Sequence, residues 1–396
     1  MAALDTLIIP TRFNAYGLIQ RVNDIQTHDV YSVNTISKYV EDKISRYQQF
    51  QSAQEEKRYD ILINSYMRSG SSFTGQLLAY DPDIFYWYEP LWNYNSGVYY
   101  WGKKYVCTGR TICGLARDKY SLNVERMQVA LTHIYNCSFS TLAPAVAEKM
   151  TPSYSGKIWT PYLECRKRGC SVDCCLQELE TVCKKSKHRA SKVVRLTVDN
   201  LEYILDNTRD VKVIHLIRDP RAIINSRITT TWYQLKATPE DNHRDIKLDA
   251  TDVCLRIMYD LKAAQQLKVK YPTRFAIVMF EDLQKDLATK SRLLYSYFGI
   301  EPTHLDAKLS NMTGILAHEH TVQMKWGDYT NWWRFQLSYS AIKVIDSVCQ
   351  NVTQHLGYKT FNNENDLKNI SLDAFSFTSE LLLENLFKSE LYDFHL

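Results

Sequence analysis

The chain has 396 residues, 45% of them hydrophobic and 23% charged, with only 13 Gly and 10 Pro, which excludes wholesale disorder and collagen-like or linker-dominated architectures. Lys and Arg exceed Asp and Glu by 48 − 44 = 4, too little for a protein that coats nucleic acid but compatible with a local anion site. No apolar run approaches 18 residues, so no transmembrane helix is expected in these residues.

Residues 1–57 read as a polar helical or stem segment, with a poor signal peptide at Met1–Pro10. Tyr59–Tyr66 reads as a buried strand around Ile61-Leu62-Ile63, and a Gly-Ser turn leads into a helix in which Phe73 and Leu77 share a face. Phe85–Tyr88 reads as the next strand. The stretch 100–190 holds eight of the ten cysteines and reads as an insertion. Val211–Ile217 repeats the strand pattern, with Asp219 as N-cap and Pro220 as first residue of the following helix. A long amphipathic helix is expected over about 250–270, then a strand at Phe275–Phe280 and a helix ending at Gly299. The tail, 361–396, reads as a peripheral helix. Strands alternating with helices predict an α/β fold: a P-loop-type parallel sheet flanked by helices, with a cysteine-rich insertion.

The turn after the first strand, Arg68-Ser69-Gly70-Ser71-Ser72-Phe73-Thr74, has the makings of an anion cradle. Gly70 permits close backbone approach and the first-turn N–H groups face a ligand. The hydroxyls of Ser71, Ser72 and Thr74 add donors, and Arg68 adds a fixed cationic fork. The Walker A pattern is absent, with no Lys in the loop, which lowers the kinase reading. No metal ligand is demanded.

Tyr66–Phe73, Gly75–Leu78 and Asp81–Trp92, followed by Val213–Ala222 with Ser226-Arg227, resemble the carbohydrate sulfotransferases, in particular the branch acting on O6 of galactose, N-acetylgalactosamine or N-acetylglucosamine. The similarity continues through Phe280–Leu283 and Trp332–Arg334 and covers about residues 58–360. It implies 3′-phosphoadenosine 5′-phosphosulfate (PAPS) as donor. The Arg68–Thr74 loop would hold the 5′-phosphosulfate, and Arg218 with Ser226 the 3′-phosphate. This places an anionic ligand at the carboxyl ends of parallel strands. Arg68 would stabilise charge rather than move a proton. Glu89, whose apolar flank is expected to raise its pKa, is the candidate general base; the alternative is a carboxylate that caps the helix at Trp92 or pairs with a structural Arg. Glu281 and Asp282 are expected to be structural, His215 to be a core histidine, and His318 and His320 to have no special role. The implied partner is a glycan, with no nucleic acid. A homodimer stays open.

The aromatic run Trp87, Tyr88, Trp92, Tyr94, Tyr99, Tyr100 and Trp101 is divided between core and acceptor binding. Lys103, Lys104, Arg110, Arg117, Arg166, Lys167 and Arg168 form either an acidic-glycan surface or a solvated basic face. The cysteines and four N-x-S/T sequons (Asn136, Asn311, Asn351, Asn369) lean toward an oxidising lumen. With no entry signal, the expectation is a Golgi enzyme whose N-terminal anchor is missing from this sequence. The resemblance also implies a Cys254–Cys349 bridge, while disulfides, a metal or free thiols all stay open for Cys165, Cys170, Cys174, Cys175 and Cys183. Two other readings share the loop. One is a P-loop kinase or nucleotidase, and the other is a catalytically inactive relative, favoured if Glu89 faces away from Arg68.

Overall fold

Ile61, Leu62 and Ile63 form the centre of strand β1 (Asp60–Ser65), whose six residues are all buried, as expected for a strand covered on both faces. In this computed structural model the described residues are 58–94, 98–101, 105–108, 112–115, 118–142, 152–230, 243–307, 309–310 and 330–376. The chain divides between Lys57 and Arg58. The first part, with the stem segment expected there, lies outside the described residues. So do Lys103, Lys104, Arg110, Arg117, Asn311, His318, His320 and residues 377–396 of the tail.

After β1 come helix α1 (Ser71–Ala79) and β2 (Ile84–Tyr88). Strands β3 (Val98–Trp101), β4 (Tyr105–Thr108) and β5 (Ile112–Leu115) form a separate antiparallel sheet. Helices α2 (Asp118–Tyr135), α3 (Thr160–Lys167) and α4 (Val172–Lys185) lead to β6 (His188–Val193). Then follow α5 (Glu202–Asn207), β7 (Val211–Ile217), α6 (Pro220–Ile228), α7 (His243–Lys270), β8 (Phe275–Met279), α8 (Phe280–Lys285), α9 (Leu287–Phe298), α10 (Tyr339–His355) and α11 (Glu364–Lys368). The main sheet has the order β2-β6-β1-β7-β8 and every pairing is parallel.

Strand β6 escapes the sequence reading, although it lies between β1 and β2. It occupies the end of the expected insertion and the stretch beyond it. Its sequence, HRASKV, is polar, yet all six residues are buried. The burial is tolerated because each polar side chain has a partner. His188 Nδ1 accepts from the Tyr59 N–H at 3.2 Å, and Arg189 reaches Asp60 at 3.2 Å. Ser191 Oγ meets the Tyr135 hydroxyl at 2.7 Å, and Lys192 donates to Glu89.

Asp219 caps α6 by accepting from the Arg221 N–H at 2.8 Å, with Pro220 opening the helix. Gly299 closes α9 in the left-handed region at φ 76°. Disulfides join Cys137 to Cys183, Cys165 to Cys175 and Cys254 to Cys349, the last tying α7 to α10. Cys170 and Cys174 are free thiols. The described part of the tail is no loose appendage. Arg334 donates to the carbonyls of Leu367, Asn369 and Leu372 at 2.7–2.9 Å, and Tyr358 bridges to Phe375.

Candidate active site

The loop between β1 and α1 is built from inside outward. Ser69 is fully buried. Its hydroxyl donates to Tyr66 O at 2.7 Å and also contacts Ser65 Oγ, and its N–H turns back to Tyr66 O at 3.3 Å. Ser69 therefore shapes the loop, its hydroxyl engaged with the Tyr66 carbonyl and Ser65. Thr74 is likewise turned in, its hydroxyl on Gly70 O at 3.3 Å. Phe73 packs edge-on against Phe280 with centroids 6.1 Å apart.

Gly70 sits at φ 86°, and a Cβ there would fall 2.2 Å from the Phe280 ring. Both the backbone conformation and the space demand glycine. No side chain caps α1, and its ladder begins only with Thr74 N–H to Gly70 O at 3.1 Å. The helix therefore presents the dipole end and first-turn N–H groups that suit an anion. Ser71 and Ser72 line the cleft, and Ser72 Oγ lies 3.1 Å from the Tyr88 hydroxyl.

The second motif converges on the first because β1 and β7 are direct neighbours, with Ser65 opposite Leu216. Arg218 leaves the end of β7, lies over the Phe280 ring at 4.9 Å and donates to Arg68 O at 3.2 Å. Arg68 Nε donates to Ser226 Oγ on α6 at 3.0 Å. Burial lowers the pKa of both arginines from the usual value, which leaves a group that titrates so far above neutrality cationic. The loop and the end of β7 thus form one continuous basic surface.

Glu89 follows β2 and lines the same cleft as Arg68, Arg218 and Ser226. Lys192 Nζ donates to its Oε1, and Arg195 Nη1 donates to its Oε2 at 3.0 Å. The expectation of a raised pKa is corrected. Burial does push the carboxyl up, but the charges and hydrogen bonds of Lys192 and Arg195 bring it below the ordinary glutamate value. Glu89 is therefore an ionised carboxylate at neutral pH. Arg68 (φ 73°) and Glu89 (φ 43°) are two of the three non-glycine residues at positive φ among the described residues. Such conformations cost about 1–3 kcal/mol each and cluster at functional sites.

Lys192 and Arg195 are site residues that the sequence reading missed. The available signal was a Lys and an Arg three positions apart in the otherwise apolar stretch Val193-Val194. Lys192 Nζ lies 4.4 Å from the Tyr88 ring centroid, and Arg195 stacks over Trp92 at 4.5 Å. The aromatic run divides. Trp87 is buried against Phe139 and Trp159, each 4.9 Å away. Tyr88 and Trp92, the latter 39% exposed, line the cleft. The side chains of Tyr99, Tyr100 and Trp101 lie outside the described residues.

Of the basic cluster, Arg168 pairs with Glu178 at 2.8 Å and Arg166 donates to Cys170 O at 2.6 Å, while Lys167 is exposed. His215 is a core histidine, bonded to Asn64 at 2.7 Å and to the Tyr66 hydroxyl at 3.0 Å. Burial and nearby Arg256 push its pKa down to about 3. Glu281 is structural, accepting from the Asp219 N–H at 2.9 Å and the Tyr358 hydroxyl at 3.1 Å, and Asp282 pairs with Lys290 at 2.8 Å.

The profile of the sulfotransferase family matches residues 60–304. Carbohydrate sulfotransferase 1 of Danio rerio is 26% identical over 355 residues, covering 80% of this chain and 81% of that protein. Human carbohydrate sulfotransferase 6 is 26% identical over 343 residues, covering 80% and 85%. Among solved structures, mouse sulfotransferase SULT7A1 complexed with PAP is 11% identical, covers 79% of this chain and 88% of its own, and has a TM-score of 0.39. The chain belongs to the sulfotransferase family and is a sulfotransferase.

Proposed function

We propose that the protein transfers the sulfuryl group of PAPS to a carbohydrate hydroxyl, at O6 of galactose, N-acetylgalactosamine or N-acetylglucosamine within a glycan. The observation that carries the reading is the junction of the two basic motifs. With Arg68 Nε 3.0 Å from Ser226 Oγ and Arg218 on the Arg68 carbonyl, one doubly anionic nucleotide can span both. The carbohydrate acceptor is supported by the relatives, which are named carbohydrate sulfotransferases.

The residues divide the work. The uncapped start of α1, with Ser71 and Ser72, holds the 5′-phosphosulfate, and Arg218 with Ser226 holds the 3′-phosphate. The acceptor oxygen attacks sulfur, the bond from sulfur to the phosphate oxygen breaks, and the acceptor proton passes to Glu89. Arg68 stabilises the negative charge that develops on the leaving phosphate oxygen and the sulfuryl group. The products are a sulfate ester and adenosine 3′,5′-bisphosphate. Glu89 lines the same cleft as Arg68, which favours an active enzyme over an inactive relative.

The three disulfides support a lumenal, Golgi setting. Asn136, Asn351 and Asn369 of the sequons are exposed. No helix among the described residues is long and apolar enough to cross a membrane. The test is incubation with labelled PAPS and a panel of keratan, chondroitin and N-acetylglucosamine-terminated acceptors. Label should enter at least one of them at a 6-hydroxyl. Transfer confined to small phenols would overturn the carbohydrate assignment.

A further inference from the structure

Arg195 lies two residues beyond β6 and is almost wholly buried, at 4% side-chain exposure. It does two things at once. Its Nη1 holds Glu89 Oε2 at 3.0 Å, and its guanidinium carbon lies over the Trp92 ring, 4.5 Å from the centroid. Trp92 is partly open to solvent and lines the cleft, so Arg195 joins the carboxylate to the cleft wall. Glu89 itself sits in a strained backbone conformation, φ 43°, which persists only where the surroundings fix it. We propose that Arg195 is a positioning residue for sulfuryl transfer, its hydrogen bond to Oε2 and its contact with the Trp92 ring aiming the Glu89 carboxylate at the incoming hydroxyl. The proposal rests on Glu89 being the base, as in the function proposed above.

The charged and titratable groups around Glu89 come from three directions. Tyr86 and Tyr88 face it from β2, and burial together with Glu89 pushes Tyr88 up to about 12. Lys192 faces it from β6, and Arg195 from the segment after β6. Arg68, across the cleft, acts on Lys192. Burial alone would raise the carboxyl pKa, and Lys192 and Arg195 together bring it down. Loss of Arg195 removes one of those two cations and leaves the burial, so the pKa of Glu89 must rise. Activity that needs ionised Glu89 would then be lost at a higher pH than in wild type. A purely electrostatic role would move that limb equally, so positioning is read from kcat when Lys keeps the charge and loses the planar guanidinium.

The experiment measures kcat and donor and acceptor KM against pH, with labelled PAPS and the best glycan acceptor, for wild type, Arg195→Gln, Arg195→Lys and Glu89→Gln. Arg195→Gln should lose roughly 10²-fold in kcat at neutral pH through misplacement of the base. Its acid limb should move to higher pH, and its donor KM should stay near wild type. Arg195→Lys keeps the charge but not the flat fork, so its limb should stay in place while kcat falls. Wild-type kcat in Arg195→Gln, wherever its limb lies, would overturn the proposal. If Arg195→Gln does not fold, Arg195→Lys decides, and wild-type kcat there would also overturn it. Full turnover in Glu89→Gln would remove both the base assignment and this proposal. Loss in Glu89→Gln with wild-type kcat in Arg195→Gln would remove this proposal alone.

Discussion

Arg68 joins three features that rarely coincide in a side chain serving only structure. It lines the cleft, it sits at φ 73°, and it bridges two motifs through Ser226. Arg68→Ala should lower kcat by about 10²–10³-fold, the loss typical for removing one donor to developing charge. Steady-state sulfotransfer would show it, and unchanged turnover would remove Arg68 from the mechanism. Ser226→Ala should act differently. Loss of one hydrogen bond to a charged phosphate is worth about 1.5–3 kcal/mol, so donor affinity should fall roughly 10- to 100-fold with acceptor KM near wild type. The reverse pattern would mean that the second motif has been misassigned. The grouping of Arg68, Gly70, Glu89, Arg218 and Ser226 around one cleft was legible because each belongs to a motif contiguous along the chain. Lys192 and Arg195 were not, because their meaning comes from Glu89, 103 and 106 positions away. The inward turn of the Ser69 hydroxyl was equally hidden, since the loop sequence does not say which serines fold under it.

At the scale of elements, β1, α1, β7, α6 and β8 could be read from apolar runs and helix-start chemistry. Strand β6 could not, because its side chains are polar and its burial depends on Asp60, Glu89 and Tyr135 from other elements. Two contacts at the start of α8 hold the site's elements in register. One is Phe280 against Gly70. Gly70→Ala would put a methyl group into the Phe280 ring and force a non-glycine residue into the left-handed region. It should cost about 1–3 kcal/mol of stability and weaken donor binding, as thermal melts with and without adenosine 3′,5′-bisphosphate would show. The other is Glu281, which holds the start of α6 through the Asp219 N–H. Burial and the nearby Asp219 push its pKa up to about 7. A carboxyl raised in the folded state contributes its stability in full below its unfolded pKa and loses it as pH rises through about 7. Glu281→Gln should therefore flatten the fall in melting temperature between about pH 5 and 8. A melting curve that keeps its full pH dependence would assign the effect to other groups.

Across the whole molecule, the parallel sheet brings ends of strands together that lie far apart along the chain. Val211–Ile217 pairs with Asp60–Ser65 across about 150 residues, and this pairing turns two motifs into one site. The alternation of strands and helices made that architecture readable. The cysteine pattern within 137–183 was not readable, because spacing alone does not choose partners. The Cys254–Cys349 bridge closes a separation of 95 residues between α7 and α10. Replacing both cysteines with serine should cost about 2–5 kcal/mol, measured by denaturant unfolding, with donor binding retained in the fraction still folded.

The central claim is that one nucleotide is held by both of its phosphates at once. Calorimetric titration, in the presence of EDTA, of adenosine 3′,5′-bisphosphate against adenosine 5′-monophosphate tests it most directly. The bisphosphate should bind at least about tenfold more tightly, as a charge-assisted contact at the second phosphate requires, and the advantage should shrink in Ser226→Ala. Equal affinities, or binding that appears only with magnesium and a nucleoside triphosphate, would contradict it.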